Sequence, residues 1–164
     1  VPTPLLAFAV AQHNCDYGVM VTASHNPKQD NGYKVYGGKG CQIVAPEDKE
    51  IAKMIDRFDR PLDDLEYIDV EETSPEQVFE DYCNRLLADM AIYNSESDQA
   101  SKIIYTPVHG VGQSYIDKLI QKANLPALLP VASQSYPDPD FPTVKFPNPG
   151  EGWSVLVPPS EMHL

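Results

Sequence analysis

The chain has 164 residues, 12 basic and 24 acidic, with a formal net charge of −12, a length that suits one compact domain or two small or incomplete ones. Its basic residues form no stripe that could neutralise phosphates, which argues against a nucleic acid partner. No apolar run approaches the roughly 20 residues that span a bilayer, and the N-terminus lacks the basic and apolar segments of a secretory signal, so no membrane role is expected.

A cytoplasmic protein acting on small molecules is the resulting expectation. Cys15, Cys41 and Cys83 are odd in number and scattered, so neither a disulfide framework nor a zinc site with short ligand spacing is suggested. The chain starts at Val1 rather than Met and ends in "WSVLVPPSEMHL", a tail without helical periodicity, and a piece of a longer protein is expected.

In chain order, "LLAFAVAQ" (5–12) follows a proline that suits the first turn of a helix, and "HNCDYG" ends it. "YGVMVTA" (17–23) is apolar and β-branched, which predicts a buried strand running into a polar loop. "YKVY" and "CQIV" flank "GGKG", the pattern of a hairpin whose turn uses glycine to reach positive φ. Pro46 opens an amphipathic helix with acidic residues in its first turn and Ile51, Met54, Ile55 and Phe58 at helical spacing. The acidic, proline-containing stretch 59–73 reads as a linker, and a domain boundary is placed near residue 70.

Ser74, Pro75 and Gln77 then make a capping-box-like helix start, with Phe79, Tyr82, Cys83, Leu86 and Met90 on one apolar face. "KIIYTPV" (102–108) predicts a buried strand, "HGVG" a glycine turn, and "QSYIDKLIQKAN" a helix with Ile116, Leu119, Ile120 and Ala123 inward. "ALLPVA" is a further strand whose proline argues for an edge, and 136–152 is too proline-rich for a regular element and is expected to be an extended surface loop. The alternation points to an α/β fold, a mixed sheet flanked by helices in three αβα layers.

The loop "TASHNPKQDNGYKVY" (22–36) poses a choice between an ordinary solvated loop and a site built around Ser24. As composition, Ser-His-Asn-Pro between apolar runs reads as a solvated turn. A serine hydrolase elbow is disfavoured because Ser24 lacks the flanking glycines of G-x-S-x-G. In an extended segment the adjacent Ser24 and His25 side chains point opposite ways, which disfavours a Ser–His relay. The phosphate-binding G-x-x-x-x-G-K-[ST] pattern is out of register here. The glycine turn after 108 offers backbone donors to an anion, but a strand-to-helix connection that needs glycine is the favoured reading, and His109 is equally ambiguous.

"TASHNP" followed by "NGYK" resembles the active-site serine loop of the α-D-phosphohexomutases. "VPTP" at the start is similar to the segment preceding that loop, and "YTPVHGVG" with "DPDFPTVKFPNPGEG" resembles the second domain of the phosphopentomutase and glucose-1,6-bisphosphate synthase branch. The resemblance covers roughly residues 1 to 152. It implies parts of two consecutive domains, 1–70 with the serine loop and 71–164 from the second. It implies that Ser24 carries a phosphoryl group, that Lys34 is the general acid/base and that His25 orients or stabilises the phosphate. Sugar phosphates and a sugar bisphosphate are the implied ligands. The implied cofactor is magnesium, bound to Ser24 through its phosphate and to carboxylates of an Asp-rich loop. "DPD" at 138–140 lies before that loop's expected place and is not read as metal-binding.

Three departures qualify the resemblance. The family's early first-domain residues and its metal, sugar and C-terminal phosphate-binding loops are missing, and Gly150 stands where an acidic residue follows "PNP". The parent protein is thus expected to be the enzyme and this chain alone nearly inactive, because preorganised catalysis needs all those groups around one phosphoryl group. The rival reading is a catalytically inactive binding or regulatory fragment that keeps the serine loop. An incomplete first sheet also predicts exposed edges and poor solubility.

Overall fold

The computed structural model describes residues 1–58, 70, 72–90 and 102–144. Helix α1 (Thr3–Gln12) leads into strands β1 (Tyr17–Val21) and β2 (Tyr33–Gly37), then helices α2 (Glu47–Arg57) and α3 (Pro75–Met90). Strand β3 (Ile104–Tyr105), helix α4 (Gln113–Lys122), strand β4 (Leu129–Pro130) and a 3-10 turn (Ala132–Gln134) follow. The α/β class expected from the sequence holds. Antiparallel pairing (β1 with β2) and parallel pairing (β3 with β4) fall in separate two-stranded sheets among the described residues. The expected linker (59–73) lies mostly outside the described residues, as do Gly150 and the C-terminal tail. No helix among the described residues is long and apolar enough to cross a membrane.

Helix α1 is apolar on more than one side because it is wedged between two layers. Towards the sheet, Val10 and Leu6 close over Gly18, where a Cβ would overlap Val10 Cγ2. Towards α3, Leu5 joins Val78, Phe79 and Cys83 in the core cluster, with Phe8, Ala9, Tyr82, Tyr115 and Leu119 packed around it. Phe8 meets Tyr82 edge-on at 5.4 Å, and Phe79 meets Tyr115 edge-on at 5.1 Å, which ties α4 to α3. Ion pairing of Lys122 with Glu80 at 2.6 Å closes the same helix pair at the surface.

Both α1 and α4 end in the same way. Asn14 and Asn124 adopt left-handed φ of 52° and 51°. The next residues, Cys15 and Leu125, donate their N–H groups to the carbonyls of Val10 and Ile120. This is the Schellman arrangement, with asparagine supplying the positive φ that glycine more often provides.

Several elements form but are shorter or more exposed than the sequence predicts. Strand β1 stops at Val21, and Tyr17, Val19 and Val21 lie 54%, 56% and 82% exposed, so it is covered on the α1 side only. The hairpin turn is present, with Gly40 at φ 73° against Ala7, but its return strand shrinks to a single bridge, Tyr36 to Gln42. The predicted strand 102–108 pairs over two residues. Helix α2 has its acidic first turn, yet its apolar face is open, with Met54, Ile55 and Phe58 all exposed.

On α3 the inward face is Val78, Phe79 and Cys83, while Met90, predicted to be inward, is exposed at the end of the helix. The cap is half of the expected box. Ser74 Oγ accepts the Gln77 N–H at 3.4 Å, but the Gln77 amide turns forward to donate to Asp81. Residues 136–144 do not run extended. They fold as consecutive turns that bury Val144.

Candidate active site

The register of β1 and β2 builds the site. Val21 pairs with Tyr33 and Met20 with Lys34, so the serine loop leaves the sheet and returns beside its point of departure. The Thr22 N–H donates to the Gly32 carbonyl at 2.9 Å, extending the ladder one step. Gly32 permits this closure, since a Cβ there would press on Thr22 O at 3.1 Å. Side chains paired across a sheet share a face. Lys34 therefore shares the α1-covered face with Met20, Gly18 and Tyr36, and its amine emerges at the mouth of the loop.

Ser24 sits at that mouth in the left-handed region, with φ 59°. Its N–H donates to Thr22 Oγ1 at 3.0 Å, a local turn that holds the conformation. Non-glycine residues are uncommon there, and such outliers concentrate at functional positions. The twist overturns the extended geometry expected for this pair. His25 Nδ1 lies 3.3 Å from Ser24 Oγ, where an extended backbone would have separated them. Lys34 Nζ donates to the same oxygen from 3.4 Å. Both contacts are at the long end of hydrogen bonding. Sequence reasoning named all three residues; it missed Thr22, whose signal was a threonine two positions before the serine.

On the outer side of the loop, Lys28 Nζ reaches Asp140 Oδ1 at 2.7 Å. This bond and the charge of Lys28 hold the Asp140 carboxyl below its usual range. Asp138 Oδ1 meanwhile accepts the Asp140 N–H at 2.8 Å. The two carboxylates of "DPD" are thus engaged within the protein. Among the described residues no group of three or more His, Cys, Asp or Glu side chains is arranged for a metal ion. These residues alone do not supply the oxygen set that magnesium takes.

The glycine turn after β3 proves to be scaffold. Val108 and His109 are both left-handed, at φ 51° and 60°. The Val108 N–H donates to Thr106 Oγ1, that of His109 to the Gln134 carbonyl, and that of Gly110 to the Pro107 carbonyl. No donor among these three is left for an anion. His109 is 5% exposed, with Nε2 2.8 Å from Thr143 Oγ1. Gln134, fully buried, accepts from Thr106 Oγ1 at 2.7 Å and donates to Thr143 Oγ1 at 3.1 Å.

Residues 1–61 match the family model of phosphoglucomutase/phosphomannomutase α/β/α domain I, and residues 80–163 match that of domain II. The human glucose 1,6-bisphosphate synthase is 41% identical over 162 residues, and the human phosphopentomutase 38% identical over 162. Each alignment takes in 95% of this chain and 26% of the relative, so the chain spans about a quarter of the length of these relatives. A crystal structure of a Thermus thermophilus protein assigned as a phosphomannomutase superposes with a TM-score of 0.66 at 28% identity. That match covers 88% of this chain and 31% of the other.

Proposed function

The chain belongs to the phosphoglucomutase/phosphomannomutase family, and from that premise we propose that Ser24 is the phosphoryl carrier of a sugar-phosphate mutase, with Lys34 and His25 as its working partners. The observation that carries this reading is the convergence of Lys34 Nζ and His25 Nδ1 on Ser24 Oγ, at 3.4 and 3.3 Å, on a left-handed turn.

In this reading a sugar hydroxyl oxygen bonds to phosphorus as the Ser24 Oγ–P bond breaks. The hydroxyl proton ends on Ser24 Oγ, with the Lys34 amine carrying it across. His25 donates to a phosphate oxygen and holds the group in line. The bisphosphorylated sugar so formed turns over and returns its other phosphate to Ser24, with the same proton path in reverse.

Ligands of this site are a sugar phosphate and a sugar bisphosphate, in keeping with relatives named glucose 1,6-bisphosphate synthase and phosphopentomutase. Their similar identity to this chain favours neither hexose nor pentose. Magnesium belongs to the reading as an ion that spreads the charge of the transferring phosphate, with ligands beyond the phosphate to be sought outside the described residues. A cytoplasmic location and two units meeting near residue 70 complete it; the gap between the family matches at 61 and 80 supports that boundary.

Phosphopeptide mapping after incubation with glucose 1,6-bisphosphate and magnesium tests the proposal, with Ser24→Ala as control. Phosphate on Ser24 of the wild-type chain and none on the variant is the expected result. An unphosphorylated Ser24 on a folded chain that still retains the bisphosphate would replace it with the binding-only reading.

A further inference from the structure

The serine loop is exposed and held by short-range turns. Asn26 donates its N–H to Ala23 O and Asp30 to Pro27 O, bonds that fix its curl but not its place relative to the rest of the molecule. Lys28 provides a contact of another kind, reaching an aspartate 112 positions away. The two partners lie within the matches to different domains, 1–61 and 80–163.

Asp140 is not itself on a loose loop. Its N–H is taken by Asp138 Oδ1, and the Asp138 N–H in turn donates to the carbonyl of buried His109 at 3.1 Å. Phe141, left-handed at φ 47°, sets its ring edge-on to the His109 imidazole at 6.2 Å. Thr143 closes the loop onto His109 and Gln134. A chain of contacts therefore runs from a fully buried glutamine, through a strained turn, to one carboxylate presented to the serine loop.

We propose that Asp140 is a positioning residue for the phosphoryl-carrying loop, acting through Lys28 as a strap between the two halves of the chain; as a role in transfer, this rests on the reading of Ser24 given above. Magnitude separates the strap from a stabilising contact. The pair is 44% and 75% exposed, and exposed ion pairs contribute too little to matter to the fold. A nucleophile displaced by about 1 Å, however, loses up to about 100-fold in rate. A weak contact at the right place thus acts on the reaction rather than on stability.

The experiment compares Lys28→Ala, Asp140→Ala, the double alanine variant and the reversed pair Lys28→Asp/Asp140→Lys in the 164-residue chain. The rate of Ser24 phosphorylation by glucose 1,6-bisphosphate with magnesium is measured together with its half-saturating concentration. Each single variant is expected to lower the maximal rate about three- to fivefold, the most that an exposed ion pair can shift the loop's population, and to leave half-saturation and melting temperature nearly unchanged. The double variant should be no slower than either single one, and the reversed pair should recover most of the loss. At about 0.5 M salt, where screening acts over a few ångströms, the wild type should fall towards the variants. Multiplied losses in the double variant, or no rescue by reversal, would overturn the strap. Amide exchange at Asn26 and Asp30 is followed in parallel without any sugar. It should quicken in both single variants and slow again in the reversed pair. If the wild type takes no phosphate, the reading of Ser24 fails and the strap stands or falls on that exchange, unchanged protection overturning it.

Discussion

Thr22–His25 and Thr106–His109 each follow a strand and open with a threonine whose Oγ1 accepts the N–H two residues on. Each then places that residue, Ser24 or Val108, in the left-handed region at φ 59° or 51°. From there they part. The first turn leaves Ser24 and His25 exposed, with Lys34 Nζ aimed at the hydroxyl. The second stays left-handed through His109, buries the imidazole and ties it to Thr143, with Gln134 bridging Thr106 and Thr143.

Left-handed non-glycine residues cost of order 1–3 kcal/mol each. In the second turn, hydrogen bonds made in a buried setting offset that cost. In the first there is little of the kind, and what the strain leaves behind is an oxygen at the mouth of a loop with a cation and an imidazole beside it. One local device thus yields an exposed turn or a buried pillar, and the long-range partners decide which.

The comparison breaks most visibly under phosphoryl transfer. Ser24→Ala should abolish phosphate incorporation, while Val108→Ser, which puts a hydroxyl at the matching place of the other turn, should gain none on phosphopeptide mapping. Stability should respond in the opposite sense. Gln134→Leu orphans the Thr106 hydroxyl in a buried setting and should cost about 1–3 kcal/mol, several degrees of melting temperature. His25→Ala, at the surface, should stay within about 0.5 kcal/mol. Calorimetry of the two variants decides whether the buried and the exposed turn are rightly assigned.

Thr22→Val and Thr106→Val sharpen the contrast, since each deletes the acceptor of its turn. The first should slow Ser24 phosphorylation about tenfold with little change in melting, and Thr22→Ser should restore it. The second should lower melting, because it also strands the side-chain oxygen Oε1 of Gln134. The smallest effect belongs to pH. Lys28 holds the Asp140 carboxyl below its usual range, so the strap is present at neutral pH and lost as pH falls through that lowered value. A carboxyl-resolved titration should show Asp140 returning to the ordinary range in Lys28→Ala.

What the sequence made legible was local. Helices α1, α2, α3 and α4 follow from apolar spacing, prolines in or beside first turns and acidic starts, and the Ser24–Lys34 spacing closes because Val21 and Tyr33 pair across the loop. What stayed hidden depends on distant partners. Val19 and Met54 look like core residues, yet both are exposed, because periodicity marks an apolar face without naming what covers it. The Ser24–His25 contact was hidden by assuming an extended backbone; the threonine two residues earlier, repeated before Val108, was the available sign of a turn. Gln134 bonds across 28 residues to Thr106, and Lys28 across 112 to Asp140, and no local pattern encodes either.

The central claim is that the groups converging on Ser24 Oγ move a phosphoryl group and its proton. Time-resolved phosphorylation of Ser24 by glucose 1,6-bisphosphate and magnesium, in the wild type and in Lys34→Met, tests it most directly. Loss of the acid/base should slow the variant by at least about 100-fold at unchanged folding. Equal rates in the two proteins would show that Lys34, for all its nearness to the hydroxyl, carries no proton in the reaction.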